Sequence, residues 1–265
     1  MAGDQAGGGF GVAGDLAGAL VSWADGPYAG VVVDLVAAAR LDEPAVVAAD
    51  VAERMVAPFA WMIRHVGTEG VDLTAAGFLN PSDVEAVARA LDVGQEWIGP
   101  LSREGNTLPV LAFRQACQSA RLLRIAKGRL MATRFATQLA GDPVALWWHL
   151  AGRLPLGGTD VERDAGVVLL LDAACHGDPD WPPPHLRFDV FDRIDDHVAA
   201  AFHALGWAGS DGESLQSWQV RSLAEPTITV LERLRVYERD ESGHATWRPT
   251  PEGVEFARGA LRGPA

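Results

Sequence analysis

Lysine is nearly missing from this chain: Lys127 stands alone beside 21 arginines. With abundant alanine, glycine and valine, that bias reflects high-GC codon usage rather than chemistry. Cysteine is scarce too. Cys117 and Cys175 are the only two, too few for a disulfide framework, so both are expected as incidental or buried thiols of a reducing compartment. Long apolar runs are lacking. The run near Val31 to Val36 is broken by Asp34 and bounded by Arg40 and Asp42, whereas a membrane span needs roughly 18 uninterrupted apolar residues. No basic leader precedes an apolar stretch, so no secretory signal is expected, a membrane is excluded as partner, and the expected location is the cytoplasm. Basic charge is in deficit: 22 Lys and Arg against 35 Asp and Glu give a formal charge of −13. A field of that sign repels nucleic acids and anionic membranes at long range, but it leaves room for a local basic patch.

Catalytic signatures are lacking as well. No HExxH, Cys-x-x-Cys, EF-hand, G-x-S-x-G or Walker A pattern occurs. "GFGVAG", Gly9 to Gly14, formally matches the dinucleotide pattern, with Asp34 further on, but no strand precedes it as that site requires. His176, Asp178, Asp180, His185, Asp189, Asp192, Asp195, Asp196, His197 and His203 crowd one segment. Their spacing fits a solvated Pro/Asp loop that caps a helix better than a metal site. The chain is therefore expected to hold no metal and no cofactor and to carry no catalytic residue. An enzyme acting near 176–203 is the most remote alternative.

What is present is 48% hydrophobic residues, enough for a sizeable core. Val47, Val51, Met55, Phe59, Met62 and Ile63 recur at three- and four-residue steps, which predicts a helix near 43–66, kinked at Pro58. Further helices are expected at 10–23, 31–40, 82–91, 108–121, after Thr133, across "GDPVALWWHLAGRLP", at 161–176 (buried), from Phe191 to Trp207, and near 214–224 and 226–236. Thr74 is the expected cap after a short strand at Val71 to Leu73. In the Trp147-Trp148 pair one indole is expected to face the core and the other a neighbouring loop or an interface.

The chain repeats itself. "RLLRIAKGRLMATRFATQLA" lies over "RLRVYERDESGHATWRPTPEGVEFA", matching Leu122 to Leu234, Ile125 to Tyr237, Gly128 to Gly243, Thr133 to Thr250 and Leu139 to Phe256. Each copy reads helix, strand, turn, strand and a Thr-capped helix, which is how a winged-helix unit ends. "VDLTAAG" at 71–77 is a fainter third echo. The expected fold is mainly α with short β-hairpins, built as tandem winged-helix-like units on a helical scaffold. Residues 1–9 are expected as a disordered N-terminus. The scaffold spans 10–176 and contains the first unit (about 70–154). A Pro-rich linker at 177–189 then leads to the second unit at 190–265.

"GVDLTAAGFLNPSDV", "PVLAFRQACQSARLLRIAKGRLMAT" and "GDPVALWWHLAGRLP" carry a resemblance. Residues about 70–154 resemble a segment of many uncharacterised proteins of high-GC Gram-positive bacteria. A similar segment follows the plasmid Ri open-reading-frame-three-like domain in some of them. The resemblance implies a scaffold of caps, a turn glycine and apolar anchors, and no activity. Where that pattern has Leu-Thr-x-x-Gly at the strand-to-helix junction, this chain has Ala132-Thr133-Arg134-Phe135-Ala136. The missing glycine implies a more tightly packed helix start.

From Gly105 to Gly141 there is no acid, but there are Arg114, Arg121, Arg124, Lys127, Arg129 and Arg134. On a helix over 108–121, Arg114, Gln118 and Arg121 share one face, while Val110, Phe113 and Cys117 form a core stripe. Arg and Gln can form bidentate bonds to base edges in a major groove. Lys127 and Arg129 at a wing tip suit phosphates. Arg114, Gln118, Arg121, Arg124, Lys127 and Arg129 are thus the candidate nucleic-acid contacts of a double-stranded-DNA-binding or transcription-associated protein. Two alternatives stand beside that reading: the cations pair with this chain's own acids, or the units serve protein interaction, with a second copy of the chain or an acidic protein as partner. The second copy's "ERDESGHA" would repel phosphate and suits docking better.

Overall fold

The computed structural model describes residues 29–93, 97, 99–178, 199, 202–203, 207–209, 212–239 and 245–262. The expected N-terminal disorder, the 10–23 helix, "GFGVAG", 179–189 of the linker and the tip of the second hairpin lie outside them. Of the helix expected from Phe191 to Trp207, only Ala199, Phe202, His203 and Trp207 are described, and Trp207 is not helical. Among the described residues the chain is mainly helical, with two small antiparallel sheets.

The order begins with α1 (Ala29–Ala38) and α2 (Ala49–Val66), which runs through Pro58. β1 (Val71–Asp72), α3 (Pro81–Ala90), a 3-10 turn (Glu104–Asn106) and α4 (Leu108–Ser119) follow. The hairpin β2 (Leu123–Ala126) and β3 (Arg129–Ala132) leads to α5 (Arg134–Leu139) and α6 (Pro143–Ala151). α7 (Asp160–Cys175) opens on a capping box: Thr159 Oγ1 accepts from the Glu162 amide and Glu162 Oε2 accepts from the Thr159 amide. The C-terminal part holds α8 (Ser217–Arg233), β4 (Tyr237–Arg239), β5 (Ala245–Pro249) and α9 (Pro251–Arg262).

Two expectations about local structure change. The predicted pair of helices near 214–224 and 226–236 is one helix, α8, which continues across Pro226. Proline in a helix interior costs about 3 kcal/mol in the open. Here α8 lies between α7 and α4, so burial of its apolar stripe outweighs the lost bond. Thr74 caps no helix. Its amide donates to the Phe78 carbonyl, its carbonyl accepts from Gly77, and its hydroxyl accepts from the Phe78 amide, closing a turn.

α7 is buried on every side from Ala165 to Cys175, as a helix at the centre of a core must be. α9, α8 and α1 pack around it. Phe59 of α2 meets Phe113 of α4 at 5.1 Å, and Trp147 of α6 meets Phe256 of α9 edge-on at 5.1 Å. Trp147 is fully buried and Trp148 partly so, since neighbours on a helix cannot both face inward. The buried residues from Leu35 to Leu261 form one cluster. The expected boundary at 177–189 therefore does not divide the core.

The repeat is written in hydrogen bonds. α4 ends with Leu122 donating to the Cys117 carbonyl and Arg121 to Gln118; α8 ends with Val236 donating to Leu231 and Arg235 to Glu232. Both are Schellman caps, and both place an arginine in the left-handed region, Arg121 at φ 59° and Arg235 at φ 55°. Thr133 and Thr250 then donate their amides to Leu122 and Val236 and cap the next helix through the Ala136 and Gly253 amides. The true counterpart of Leu122 is thus Val236, not Leu234, and that of Leu123 is Tyr237: the sequence overlay was two residues out before the hairpin and correct after it. The "VDLTAAG" echo also has a partner. The Thr74 to Phe78 turn recurs at Gly209 to Glu213, with the same pair of backbone bonds and with Gly77 and Gly212 at φ 79° and 80°.

The glycine missing from the first junction has the opposite meaning to the expected one. In the second copy Gly253 sits so close to the strand that a Cβ would lie 2.1 Å from the Val236 carbonyl oxygen. Ala136 at the matching place is buried with its methyl accommodated. The copy that keeps glycine is the tighter one.

Candidate functional site

α4 presents Val110, Phe113 and Cys117 to the core, as its spacing requires. Burial pushes the Cys117 thiol far above its ordinary range, which leaves it inert. Arg114 was expected on the opposite, exposed face. It is buried instead, because Glu104 lies buried in the turn just before α4. Arg114 Nε donates to Glu104 Oε1 at 2.5 Å, with side-chain exposures of 7% and 0%. Arg114 Nη1 donates to Gln118 Oε1 at 2.8 Å. Glu104 Oε2 also accepts from the Leu79 amide at 2.7 Å. Arg114 and Gln118 are therefore joined to each other and to a buried carboxylate, not aimed at solvent. The helix also packs on α8.

The hairpin is different. Lys127 and Gly128 sit at φ 51° and 74° between the paired residues Ala126 and Arg129, the two-residue turn that matches strand twist. In an antiparallel pair directly opposed residues share a face. Leu123, Ala132 and Leu130 are buried on one face, with the half-buried Val71 added by β1, which pairs with β3; Ile125, on the same face at the edge, stays 48% exposed. Arg124, Met131, Ala126 and Arg129 face outward, with Asp72 opposite Arg129. Arg129 is held in place: its Nε lies 3.3 Å from Asp72 Oδ1 and its Nη2 donates to the Gly70 carbonyl at 2.8 Å.

Arg121, Arg124, Lys127 and Arg134 are exposed and form no ion pair among the described residues. Some arginines elsewhere pair, Arg54 with Asp50, Arg221 with Glu232 and Arg258 with Glu255, whereas Arg64, Arg89, Arg103 and Arg235 are exposed and, among the described residues, form no ion pair either. What sets the hairpin apart is that Arg121, Arg124, Lys127 and Arg134 lie close together along the chain with no acid between them. The structural counterpart of Arg124 in the second hairpin is Glu238, also exposed. The sign of the charge is inverted between the copies.

Behind the hairpin lies a corner that no sequence motif marks. His149 Nε2 meets the Ala120 carbonyl at 2.8 Å. Burial, reinforced by the Arg153 charge and opposed by that bond, holds its imidazole below the ordinary value of 6.5. Its ring meets Phe135 at 5.2 Å, and Phe135 is 53% exposed. Arg153 Nη2 reaches the Ser119 carbonyl at 3.4 Å, near enough to Arg121 for their charges to repel. Arg134 and Phe135 open the helix after a Thr cap; the only signal in the sequence was an aromatic residue within the acid-free stretch.

Most of the 176–203 segment lies outside the described residues. Among the described residues no group of three or more His, Cys, Asp or Glu could hold a metal ion, and no helix is long and apolar enough to cross a membrane. An open cleft on α3, lined by Glu85, Ala88, Arg89, Asp92 and Leu101, brings together no nucleophile and base. Compared with protein-family models, with curated proteins and with solved structures, the chain matches none.

Proposed function

We propose that this is a winged-helix-type protein of the cytoplasm that holds double-stranded DNA by its phosphate backbone through the β2–β3 hairpin. The observation that carries the reading is the set of exposed cations Arg121, Arg124 and Lys127, without ion pairs among the described residues of an acidic chain. The topology supports it: α2, β1, α3, α4, β2, β3, with β1 paired to β3, is the order of a winged-helix unit. The second copy, with Glu238 in place of Arg124, acts as the structural unit that covers α4. Base readout is not part of the proposal, because Arg114 and Gln118 bond to each other and α4 packs on α8. Binding is then governed by phosphate charge and only weakly by sequence.

Titrating a duplex at several salt concentrations tests this. Three phosphate contacts give a log–log slope of about −2.7, or roughly a 40-fold loss of affinity between 50 and 200 mM salt. Arg124→Ala and Lys127→Ala each make the slope shallower by about one unit. Absence of duplex binding at the lowest salt defeats the proposal. One observation favours a second reading, docking of an acidic protein: Ile125, beside Arg124 on the edge strand, is 48% exposed, and apolar contacts strengthen protein interfaces more than phosphate contacts.

A further inference from the structure

We infer that the corner formed by Phe135, Arg121 and Arg153 takes an unpaired base, so that the preferred partner is a duplex with an adjoining single-stranded extension. This rests on the nucleic-acid reading above and adds a second contact to it. Phe135 is 53% exposed, yet its ring is fixed. One edge meets the His149 imidazole, and His149 is tied to the Ala120 carbonyl. The start of α5 is pinned to the end of α4 by the Thr133 hydroxyl, which donates to the Arg121 carbonyl at 3.1 Å. Arg153 reaches the neighbouring Ser119 carbonyl. The charges of Arg121 and Arg153 and the half-exposed Phe135 ring thus lie around the C-terminal end of α4.

A cationic surface alone suits any polyanion. A fixed, half-exposed aromatic ring among cations suits one whose units carry π faces, because base–aromatic stacking accepts every base. Paired bases inside a duplex have no free face to offer. The hairpin and this corner flank the same helix end, Arg121 belonging to both, so one ligand can reach the hairpin with its duplex and Phe135 with its first unpaired bases.

Fluorescence anisotropy with the whole chain tests this on two probes, a blunt duplex of about 20 base pairs and the same duplex with about six unpaired nucleotides, with poly-glutamate as competitor. The extended probe is expected to bind roughly tenfold more tightly. Phe135→Ala and Phe135→Leu remove that gain and leave blunt-duplex affinity unchanged; Phe135→Trp keeps it. Because Phe135 is exposed, these variants fold. Equal binding of the two probes, or a gain that survives Phe135→Leu, overturns the inference while leaving the hairpin proposal standing. If poly-glutamate displaces both probes at equivalent charge, the partner is an acidic protein and the inference falls. If neither probe binds, both readings fall together.

Discussion

The Glu104–Arg114 pair decides between two accounts of the same arginine. If Arg114 were a DNA contact, truncating it would weaken binding and leave stability alone. The structure assigns it the opposite behaviour. Glu104 joins three segments: it accepts from the Leu79 amide in the turn before α3, stands in the 3-10 turn before α4, and receives Arg114 from α4 itself. Removing one partner of a buried pair costs about 3–5 kcal/mol, because a charge is left without compensation. Glu104→Ala also strips the Leu79 amide of its acceptor, so it belongs at the upper end. Glu104→Gln keeps an oxygen for Leu79 but leaves the buried Arg114 charge without compensation, at a cost toward the lower end of about 3–5 kcal/mol. Arg114→Met keeps the packing of the aliphatic stem but leaves a carboxylate buried, again about 3–5 kcal/mol. Combining Glu104→Gln with Arg114→Met costs less than the sum by about 1–3 kcal/mol, since the second change removes a partner that is already gone. Urea unfolding followed by tryptophan fluorescence reads these values from the midpoint; with a slope on the order of 3 kcal/mol per molar, Glu104→Ala moves it down by more than 1 M. The reasoning is refuted if both single variants cost under about 1 kcal/mol or if the double variant is simply additive.

Two further outcomes follow from the C-terminal cap and the corner behind the hairpin. Arg235 holds a left-handed conformation at φ 55°, which disfavours any side chain with a Cβ by roughly 1 kcal/mol. Arg235→Gly is therefore expected to stabilise the chain by about 0.5–1 kcal/mol and Arg235→Ala to do nothing, both measured by denaturant midpoint; a destabilising glycine would show that the Schellman cap is misassigned. His149 is held below its ordinary 6.5 chiefly by burial. In that case the unfolded chain binds a proton before the folded one does, so the stability contributed by neutral His149 is intact above pH 6.5 and declines as pH falls through it. His149→Gln keeps an N–H for the Ala120 carbonyl and cannot titrate, so its unfolding midpoint should fall less between pH 7 and about pH 5 than that of the parent; parallel curves would contradict the assigned shift.

What the sequence disclosed and what it hid divide along the range of the interactions. Periodicity placed the core face of α4 correctly, because Val110, Phe113 and Cys117 obey a rule internal to one helix. The same periodicity put Arg114 on the outside, since an apolar stripe says nothing about a charge that finds a buried partner. Glu104 lies one residue before the acid-free window that made Arg114 look unpaired, and its other bond reaches Leu79, 25 positions back. The repeat was visible through Thr133 and Thr250, whose capping role is local, and slipped by two residues before the hairpin, where loops of different length left only the Schellman caps to fix the alignment. Pro226 misled for the same reason: a local breaker was overruled by packing against α7 and α4. The charge of the hairpin was legible because exposure of a two-residue turn is a local property, and Arg124, Lys127 and Gly128 need no distant residue to stand where they do. Phe135 was not legible as a candidate contact, because its surroundings depend on His149 and on the end of α4, which only the fold brings beside it. Candidate sites were therefore readable in proportion to how local they are: the charge of the hairpin could be read directly, whereas the inward turn of Arg114 and the proposed corner at Phe135 could not.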